Sequence, residues 1–247
     1  MRVAVFSDVH GSAVALDAVL GDVGQHSVDR LVCLGDAIQG GPQPTEVVQC
    51  LRELACPVVM GNADAWLLTG RETGAERPPT PWMLAMQVWS LGQLSAEESA
   101  FVATFLPTVE SPLPGGRRLL AFHGSPRSFD DVILPLTPEE ELRGFLGAYL
   151  PAILCGGHTH VQQIRHLSES FYFNPGSVGV AYRHDQPDDR LRTDPWAEYA
   201  LLTAEEGGAL ALEFRRIPFD VERLLGIARG SGMPEPGTYA DRYRPDA

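Results

Sequence analysis

The sequence predicts an α/β fold with two kinds of strand connection. Over the first 62 residues, short apolar runs alternate with helix-like segments, which is typical of parallel strands joined by helical crossovers. After residue 117, apolar runs follow one another with short connections, which favours antiparallel hairpins. The 247 residues suffice to bury a large core, so we expect a single domain over residues 1–247.

The N-terminal part contains three predicted strands, and a predicted helix connects each strand to the next. The strands are Arg2–Phe6, Leu31–Leu34 and Pro57–Met60. Ser12 suits the N-cap position of the first helix, and Pro44 suits the first turn of the second. This strand–helix alternation predicts a parallel arrangement at the start of the fold.

Residues 65–115 interrupt the alternation. Prolines cluster at residues 78–81, and Trp82–Leu91 and Ser95–Leu106 then have helical patterns. The second helix starts with a capping box, because a glutamate follows Ser95 by three residues. The segment has too few apolar residues for a core of its own, so we predict a helical cap inserted into the domain.

The C-terminal half contains further strands and one helix, Pro138–Leu150. Residues 231–247 are rich in proline, glycine and charged residues, so we expect them to form a loosely held tail. The predicted strands are Arg118–Phe122, Ala152–Cys155, Val161–Arg165, Phe171–Asn174, Glu198–Thr203 and Ala209–Ile217.

Charge and composition exclude several classes of function. Nineteen basic residues stand against 32 acidic ones, and the net charge of −13 disfavours binding to nucleic acid or to an anionic membrane. All the basic residues are arginine, which excludes lysine Schiff-base chemistry and the P-loop lysine. No apolar stretch approaches the roughly 18 residues of a membrane helix.

We expect the protein to be cytoplasmic. Asp8 comes too early in the chain for a signal peptide. The four cysteines form no C-x-x-C pair, and two of them lie in apolar strand-like runs. They are therefore predicted to be reduced, largely buried thiols, as in a reducing compartment.

The most informative pattern is found where the predicted strands end. Five apolar runs are each followed directly by Asp, Asn or His, in most cases beside a glycine. Because sites in α/β sheets form at the carboxyl ends of the strands, we expect these side chains to converge. The seven residues are Asp8, His10, Asp36, Asn62, His123, His158 and His160.

This ligand set predicts a dinuclear metal site. Seven side chains are too many for one ion, whereas two ions that share a bridging carboxylate would use them all. Four histidines favour a first-row transition metal over Mg²⁺ or Ca²⁺, which prefer oxygen ligands. We expect two divalent ions, with Mn²⁺ preferred and Fe, Zn, Ni or Co as alternatives. A set of strand-end capping residues is the plainer alternative, but it leaves the four histidines unexplained.

In sequence order, the motifs D-x-H, G-D, G-N-x-D, H-G and G-H-T-H resemble those of the calcineurin-like metallophosphoesterase superfamily. The Asn174–Gly179 stretch, NPGSVG, is similar to that of its compact bacterial and archaeal phosphodiesterase branch. The resemblance implies a four-layer α-β-β-α sandwich of two mixed sheets, with the helical cap inserted. His158-x-His160 also opens the metallo-β-lactamase pattern, but Val161-Gln162 follow where that pattern needs aspartate and histidine.

The resemblance also implies a role for each ligand. A hydroxide shared by the two ions would attack phosphorus in line, with Asp36, Asn62 and His123 as catalytic residues and Asn62 also touching the substrate. Asp36 would bridge the ions. Asp8, His10, Asp36 and His160 would hold the first ion, and Asp36, Asn62, His123 and His158 the second.

One position departs from the family pattern. Many members have a histidine where this chain has Ala63, and that histidine is thought to protonate the leaving oxygen, oriented by the residue at Asp64. Alanine cannot transfer a proton, and family members without the histidine resemble phosphodiesterases. Arg127 could clamp a phosphate, although a surface ion pair with Asp130 or Asp131 is an equal alternative.

Together these features predict a metal-dependent phosphoesterase acting on a small-molecule phosphodiester, a nucleotide included. A phosphomonoesterase or dinucleoside-polyphosphate hydrolase with the same site is an alternative, as is a metal-bound interaction module without turnover. An apolar stripe at helical spacing in the cap favours a packed core, although it could instead roof the site or form a homodimer contact. The stripe comprises Trp66, Trp82, Met83, Met86 and Trp89.

Overall fold

The computed structural model describes residues 1–71, 78–168, 170–182, 186 and 192–243. Two β-sheets form the centre of this part of the chain, and helices cover them. The strands are β1 (Arg2–Phe6), β2 (Arg30–Cys33), β3 (Val109–Pro112), β4 (Arg118–Ala121), β5 (Ile153–Cys155), β6 (Gln163–Leu167), β7 (Ser170–Asn174), β8 (Trp196–Ala204) and β9 (Leu210–Pro218). The α-helices are α1 (Ala13–Val23), α2 (Pro44–Leu54), α3 (Asn62–Thr69), α4 (Pro81–Gln93), α5 (Ala96–Val102), α6 (Glu139–Leu146), α7 (Val221–Gly230) and α8 (Pro236–Asp241).

Both sheets are mixed, as the sequence predicts. The first sheet has the order β2-β1-β8-β9, with β1 and β2 parallel and the remaining pairs antiparallel. The second has the order β3-β4-β5-β7-β6, with β4, β5 and β7 parallel and an antiparallel strand at each edge. The parallel pairs therefore lie at the centre of the second sheet, and α6 lies in the crossover from β4 to β5.

Strand β1, inside the first sheet, is buried on both faces, whereas the edge strand β9 is largely exposed. Successive side chains of a strand point to opposite faces, so β1 contributes to two cores. Val3 and Val5 pack between the two sheets, whereas Ala4 and Phe6 pack against α1 and α2. This explains why β1 is continuously apolar rather than alternating.

The second sheet repeats this arrangement. Leu119 and Ala121 of β4 face the core between the sheets, while Leu120 faces outward against α6. Leu142 and Leu146 of α6 are fully buried there. The four layers are therefore helix, sheet, sheet and helix, which confirms the expected sandwich.

The predicted cap forms three helices, α3 to α5, over the described part of residues 65–115. The capping box is present, since Ser95 Oγ accepts from the Glu98 amide and Glu98 Oε2 accepts from the Ser95 amide. The last part of the predicted cap segment is not helical, because its residues Val109–Pro112 form β3 of the second sheet. Residues 72–77 lie outside the described residues.

Two further elements differ from the sequence prediction: one predicted strand does not form, and one helix was not predicted. Pro57–Met60 makes only isolated bridges, with Val58 opposite Cys33 and Val59 opposite Leu106, so it does not become a full strand. Helix α3 begins directly after it at Asn62. The run is too short to continue the ladder before the chain turns into the cap.

The structure also differs from the expected loose tail at residues 231–247. Helix α8 lies within this segment, and Tyr239 is only 2% exposed among apolar residues of α4 and α7. The Tyr243 hydroxyl lies 3.2 Å from Gly179 O and donates to it. Widely spaced apolar residues anchor the segment although its composition is polar. Residues 244–247 lie outside the described residues.

The cysteines are unpaired thiols, as expected. Cys33 and Cys155 are buried in the strands, while Cys50 and Cys56 are half-buried. Burial raises the pKa of the Cys155 thiol, which keeps it protonated and unreactive. None of the described helices is both long and apolar enough to cross a lipid bilayer.

Candidate metal centre

The seven predicted ligands come together at one edge of the sandwich. Six of them lie in loops directly after β1, β2, β4 and β5, and Asn62 is the first residue of α3. Parallel strands deliver their carboxyl ends to the same edge of a sheet, which explains the convergence. The two sheets meet at this edge, so loops from both contribute.

One group of ligands contains Asp8, His10 and His160. His160 Nε2 lies 3.1 Å from Asp8 Oδ1, and His10 Nε2 lies 3.8 Å from the same oxygen. The two imidazoles also approach each other, with 3.2 Å between their Nε2 atoms. These three side chains therefore direct their ligand atoms at one small volume.

A second group contains Asp36, His123 and His158. His123 Nε2 lies 3.3 Å from Asp36 Oδ2 and 3.0 Å from Asn62 Oδ1. Asp36 Oδ2 is also 4.0 Å from His10 Nε2 of the first group. The Asp36 carboxylate thus lies between the groups, where a shared ligand would have to be.

Backbone carbonyls determine which nitrogen each imidazole offers. The Nδ1 atoms of His10, His123 and His160 each lie 2.8 Å from a backbone carbonyl oxygen. Only a protonated Nδ1 can donate to a carbonyl, so each Nε2 carries a lone pair when the ring is neutral. This orientation is typical of metal-binding histidines.

The residues fit a bound cation. Two neutral imidazoles whose Nε2 lone pairs face each other at 3.2 Å cannot hydrogen-bond to one another. Asp8 Oδ1 is buried and has no hydrogen-bond donor in the described part of the chain. A cation between them would satisfy all three atoms, at ligand distances of about 2.0–2.2 Å.

The ligand loops are held in unusual backbone conformations. Seven non-glycine residues of the described chain have positive φ, and five of them are predicted ligands. Each such residue costs of order 1–3 kcal/mol and persists only where the surroundings enforce it, which is a pattern found at functional sites. The five are Asp8 (φ 56°), His10 (φ 45°), Asp36 (φ 50°), His158 (φ 66°) and His160 (φ 56°).

Two glycines let these loops approach one another. A Cβ on Gly61 would overlap the Asp36 carboxylate, and a Cβ on Gly157 would overlap Ser7 Oγ. The close approach at Gly157 also lets the His158 amide donate to Asp8 Oδ2 at 3.1 Å. Glycine is therefore required at both positions by space rather than by φ.

Opposite charges control protonation in the second group. Burial raises the pKa of the Asp36 carboxyl, but the adjacent His123 outweighs this and holds the pKa below its usual range. In turn, burial lowers the pKa of His123, but the charge and hydrogen bond of Asp36, the Asp8 charge and the Leu34 carbonyl together outweigh this and raise it to about 9. Burial, followed by the charge of His123, lowers the pKa of His158 to about 4, so His158 is neutral and able to bind a cation.

Residues 1–206 match the family sequence model described as the calcineurin-like phosphoesterase superfamily domain. The chain belongs to this superfamily. It is therefore a metal-dependent phosphoester hydrolase. The family explains why imidazole, carboxylate and amide ligands from both sheets meet at one point.

Three similar proteins support this placement. The chain is 26% identical to protein MJ0912 of Methanocaldococcus jannaschii, over 94% of both chains. It is 28% identical to phosphodiesterase YfcE of Escherichia coli, over 73% of this chain and 80% of the relative. The crystal structure of a metallophosphoesterase from Sphaerobacter thermophilus is 27% identical and covers 98% of both chains with a TM-score of 0.70.

In this member of the superfamily, a cavity of about 270 Å³ lies between the ligands and the cap. His10, Asp36, Asn62 and His160 form its floor, and Ala63 lies on its wall. Most of the apolar stripe lines the roof, although Met86 is also buried in the cap core. The roof residues are Trp66, Trp82, Met83 and Met86.

Arg127 is placed differently from the other predicted site residues. Its guanidinium pairs with Asp131 at 3.1 Å and lies over the ring of Phe145, 4.8 Å from the centroid. Arg127 is not among the residues that line the cap-side cavity. The surface ion pair, which the sequence left as an equal alternative, is the arrangement in the structure.

Asp64 has the turn-stabilising role that the sequence left open, whereas sequence reasoning missed Arg242. Asp64 is completely buried and accepts from the amides of Ala37 and Ile38 at 3.1 Å, so it shapes the loop after Asp36. Arg242 lines the cavity from the end of α8. Asp64 was visible in the sequence as the last residue of the G-N-x-D motif, whereas no local pattern distinguishes Arg242.

Proposed function

We propose that this protein hydrolyses a small-molecule phosphodiester at a dinuclear metal centre, with Mn²⁺ as the preferred ion. The observation that supports the proposal is the position of Asp36, which belongs to one group of candidate ligands and also approaches the other. Asp36 Oδ2 lies 4.0 Å from His10 Nε2 on one side and 3.3 Å from His123 Nε2 on the other. A carboxylate in that position suits two ions that share a bridging ligand.

The chain's own residues would orient the substrate and the ions. When bound, two divalent ions supply Lewis acidity and lower the pKa of a water molecule so that it can attack phosphorus. The backbone carbonyls behind His10, His123 and His160 hold each Nε2 toward the centre. With Oδ1 directed at His123, the Asn62 carboxamide retains its NH₂ group for a phosphoryl oxygen.

The residue at position 63 on the cavity wall favours esters with good leaving groups. Ala63 occupies the position from which many relatives donate a proton, and its side chain has none to donate. General acid catalysis is typically worth about 10²–10⁴-fold, so this chain is suited to leaving groups that need little protonation. A cavity of about 270 Å³ suits one substituent of a small ester rather than a polymer.

The test compares two chromogenic esters on metal-stripped and Mn²⁺-reloaded protein. We expect Mn²⁺-dependent hydrolysis of bis(4-nitrophenyl) phosphate, with kcat/KM well above that for 4-nitrophenyl phosphate. Asp36→Asn should abolish turnover and lower the number of bound ions, measured by inductively coupled plasma mass spectrometry. Full activity of Asp36→Asn would contradict the dinuclear centre, and a preference for the monoester would contradict the diester assignment.

A further inference from the structure

Among the described residues that line the cap-side cavity, Arg242 is the one arginine. Arg242 follows the last residue of α8 and lines the cavity together with His10, Asp36 and Asn62. The tail therefore brings a guanidinium to the same space as the ligand groups. The positively charged Arg242 and the Asp36 carboxylate thus line the same cavity.

The guanidinium of Arg242 has aromatic neighbours and no acidic partner in the described part of the chain. Its Cζ lies 4.5 Å from the ring centroid of Trp82 and 6.0 Å from that of Tyr239. Burial lowers its pKa, and only the two tyrosines Tyr239 and Tyr243 oppose this. An arginine remains charged even so. A partly buried cation without a counterion is costly unless a ligand supplies the negative charge.

Several other arginines of the described chain pair with carboxylates. A larger cavity, of about 620 Å³, lies on the far side of His160 and contains Arg216. Arg216 Nε lies 2.9 Å from Glu198 Oε1, so its charge is already compensated. Arg127 and Arg143 likewise pair with Asp131 and Glu139. Arg242 differs from these arginines because it has no carboxylate partner among the described residues and lines the cavity that the ligand groups also line.

The position of Arg242 is held from several sides. The Thr193 amide donates to Arg242 O at 2.8 Å, and the Trp82 indole N–H donates to Pro234 O at 3.2 Å. Tyr239, three residues earlier, is buried against α7. The guanidinium is thus presented by an ordered scaffold, and such preorganisation reduces the entropy lost when a ligand binds.

We propose that Arg242 binds the phosphoryl group of the substrate in the cap-side cavity, with an aryl substituent of the ester against Trp66 and Trp82. This inference rests on the proposed function and names a substrate contact for it. The planar guanidinium suits two phosphoryl oxygens at once. Arg242 transfers no proton; it would neutralise charge on the phosphoryl oxygens, and the leaving oxygen still departs without a proton from position 63.

The decisive measurement is calorimetric binding of inorganic orthophosphate to the Mn²⁺-loaded protein. Arg242→Met keeps the length of the side chain over Trp82 and removes the charge. We expect its phosphate affinity to fall at least about tenfold, the size of a lost charge-assisted hydrogen bond, with unchanged metal stoichiometry. In kinetics, KM for bis(4-nitrophenyl) phosphate should rise by a similar factor while kcat changes less. Arg242→Lys should have an intermediate affinity.

Two controls separate a binding role from a structural one. Tyr243→Phe removes the hydroxyl that ties the tail to Gly179 without changing charge, and Arg143→Gln removes an exposed arginine far from the cavity. Both should bind phosphate within about twofold of the unmodified protein. Equal weakening by Tyr243→Phe would overturn the proposal, because loosening of α8 would then explain the effect.

The phosphate experiment also separates this inference from the proposed function. Mn²⁺-loaded protein that binds phosphate through Arg242 but hydrolyses neither nitrophenyl ester would contradict the activity and support the contact. Hydrolysis of the diester with unchanged KM and phosphate affinity in Arg242→Met and Arg242→Lys would support the activity and overturn the contact. Circular dichroism and thermal unfolding establish that each variant is folded before it is compared.

Discussion

Asp64 Oδ1 accepts a hydrogen bond from the amide of Ile38 at 3.1 Å, and the same carboxylate accepts from the amide of Ala37. Asp64 is completely buried. It closes the loop that follows Asp36 and so helps to hold Asp36 between the ligand groups. Burial and then the nearby Asp36 charge raise the pKa of Asp64 to about 7. In the family pattern this residue orients a histidine, but here Ala63 leaves it to support the loop.

Replacing Asp64 by alanine should weaken both the fold and the metal site. Two buried amides would lose their acceptor, at a cost of about 1–3 kcal/mol for each unpaired group. We expect urea unfolding to show a loss of about 2–4 kcal/mol, and Mn²⁺ affinity to fall by about 10–100-fold, as for other groups that orient ligands. Asp17→Ala, on the exposed face of α1, is the matched control and should change neither quantity. Unchanged metal affinity in Asp64→Ala would contradict this role.

The close packing at Gly157 predicts a selective effect of one added methyl group. In Gly157→Ala the new Cβ would overlap Ser7 Oγ and approach Asp8, so the loops must separate. We expect a cost of about 1–3 kcal/mol, typical of overpacking, and Mn²⁺ affinity lower by about tenfold or more. Gly144→Ala is the control, because nothing lies within 4 Å of its added Cβ in α6. It should instead stabilise the protein by about 0.5–1 kcal/mol. Equal unfolding free energies for the two variants would refute the packing argument.

An ion pair between α1 and β9 predicts how stability depends on pH. Asp22 accepts from Arg215 Nε at 2.6 Å and from the Tyr199 hydroxyl at 2.5 Å. The Arg215 hydrogen bonds lower the pKa of Asp22 from its ordinary value of 3.8. A lowered carboxyl pKa means that the stabilisation is complete well above pH 3.8 and is lost as the pH falls through the folded-state pKa.

Asp22→Asn should therefore cost about 1–2 kcal/mol in urea unfolding at pH 7. The difference from the unmodified protein should shrink as the pH is lowered from 6 toward 3. Glu139→Gln is the control, since its pair with Arg143 is exposed on α6 and should contribute little at any pH. If the unfolding free energies of Asp22→Asn and the unmodified protein differ by the same amount over this whole pH range, the charge of Asp22 does not cause the stabilisation.

Ala63→His tests the role of the missing proton donor. A histidine on the cavity wall could protonate a leaving oxygen, which matters only when the leaving group is poor. We expect kcat for a diphenyl phosphate to rise at least about tenfold, a modest part of the usual general-acid effect. The rate with bis(4-nitrophenyl) phosphate should barely change, because nitrophenolate leaves without protonation. Equal acceleration of both esters would point to a change in binding instead.

Most of the fold could be predicted from the sequence, because strands and helices depend on local patterns. The continuous apolar run of β1 and the capping box at Ser95 are visible in short windows of sequence. Prediction was less accurate where packing between distant segments decides the outcome. Pro57–Met60 makes isolated bridges only, and β3 pairs with β4 although it follows a helical segment.

The tail at residues 231–247 shows most clearly that local sequence patterns do not predict packing between distant segments. A composition rich in proline and glycine predicts loose structure, yet Tyr239 is buried by residues of α4 and α7. A few apolar residues suffice for anchoring when a complementary surface already exists, and only the folded chain supplies that surface. The sequence therefore carried no sign that Arg242 would reach the cavity.

The sequence by itself determined the order of most elements, the choice of the seven candidate ligands and the presence of alanine at position 63. These follow from residue types and their spacing, which are local properties. Only the tertiary structure decided which nitrogen three of the histidines offer, where Asp36 lies relative to the two groups, and that Arg242 rather than Arg127 lines the cavity beside them. Those relationships join atoms from loops far apart in the chain, and they exist only once the two sheets and the cap have packed together.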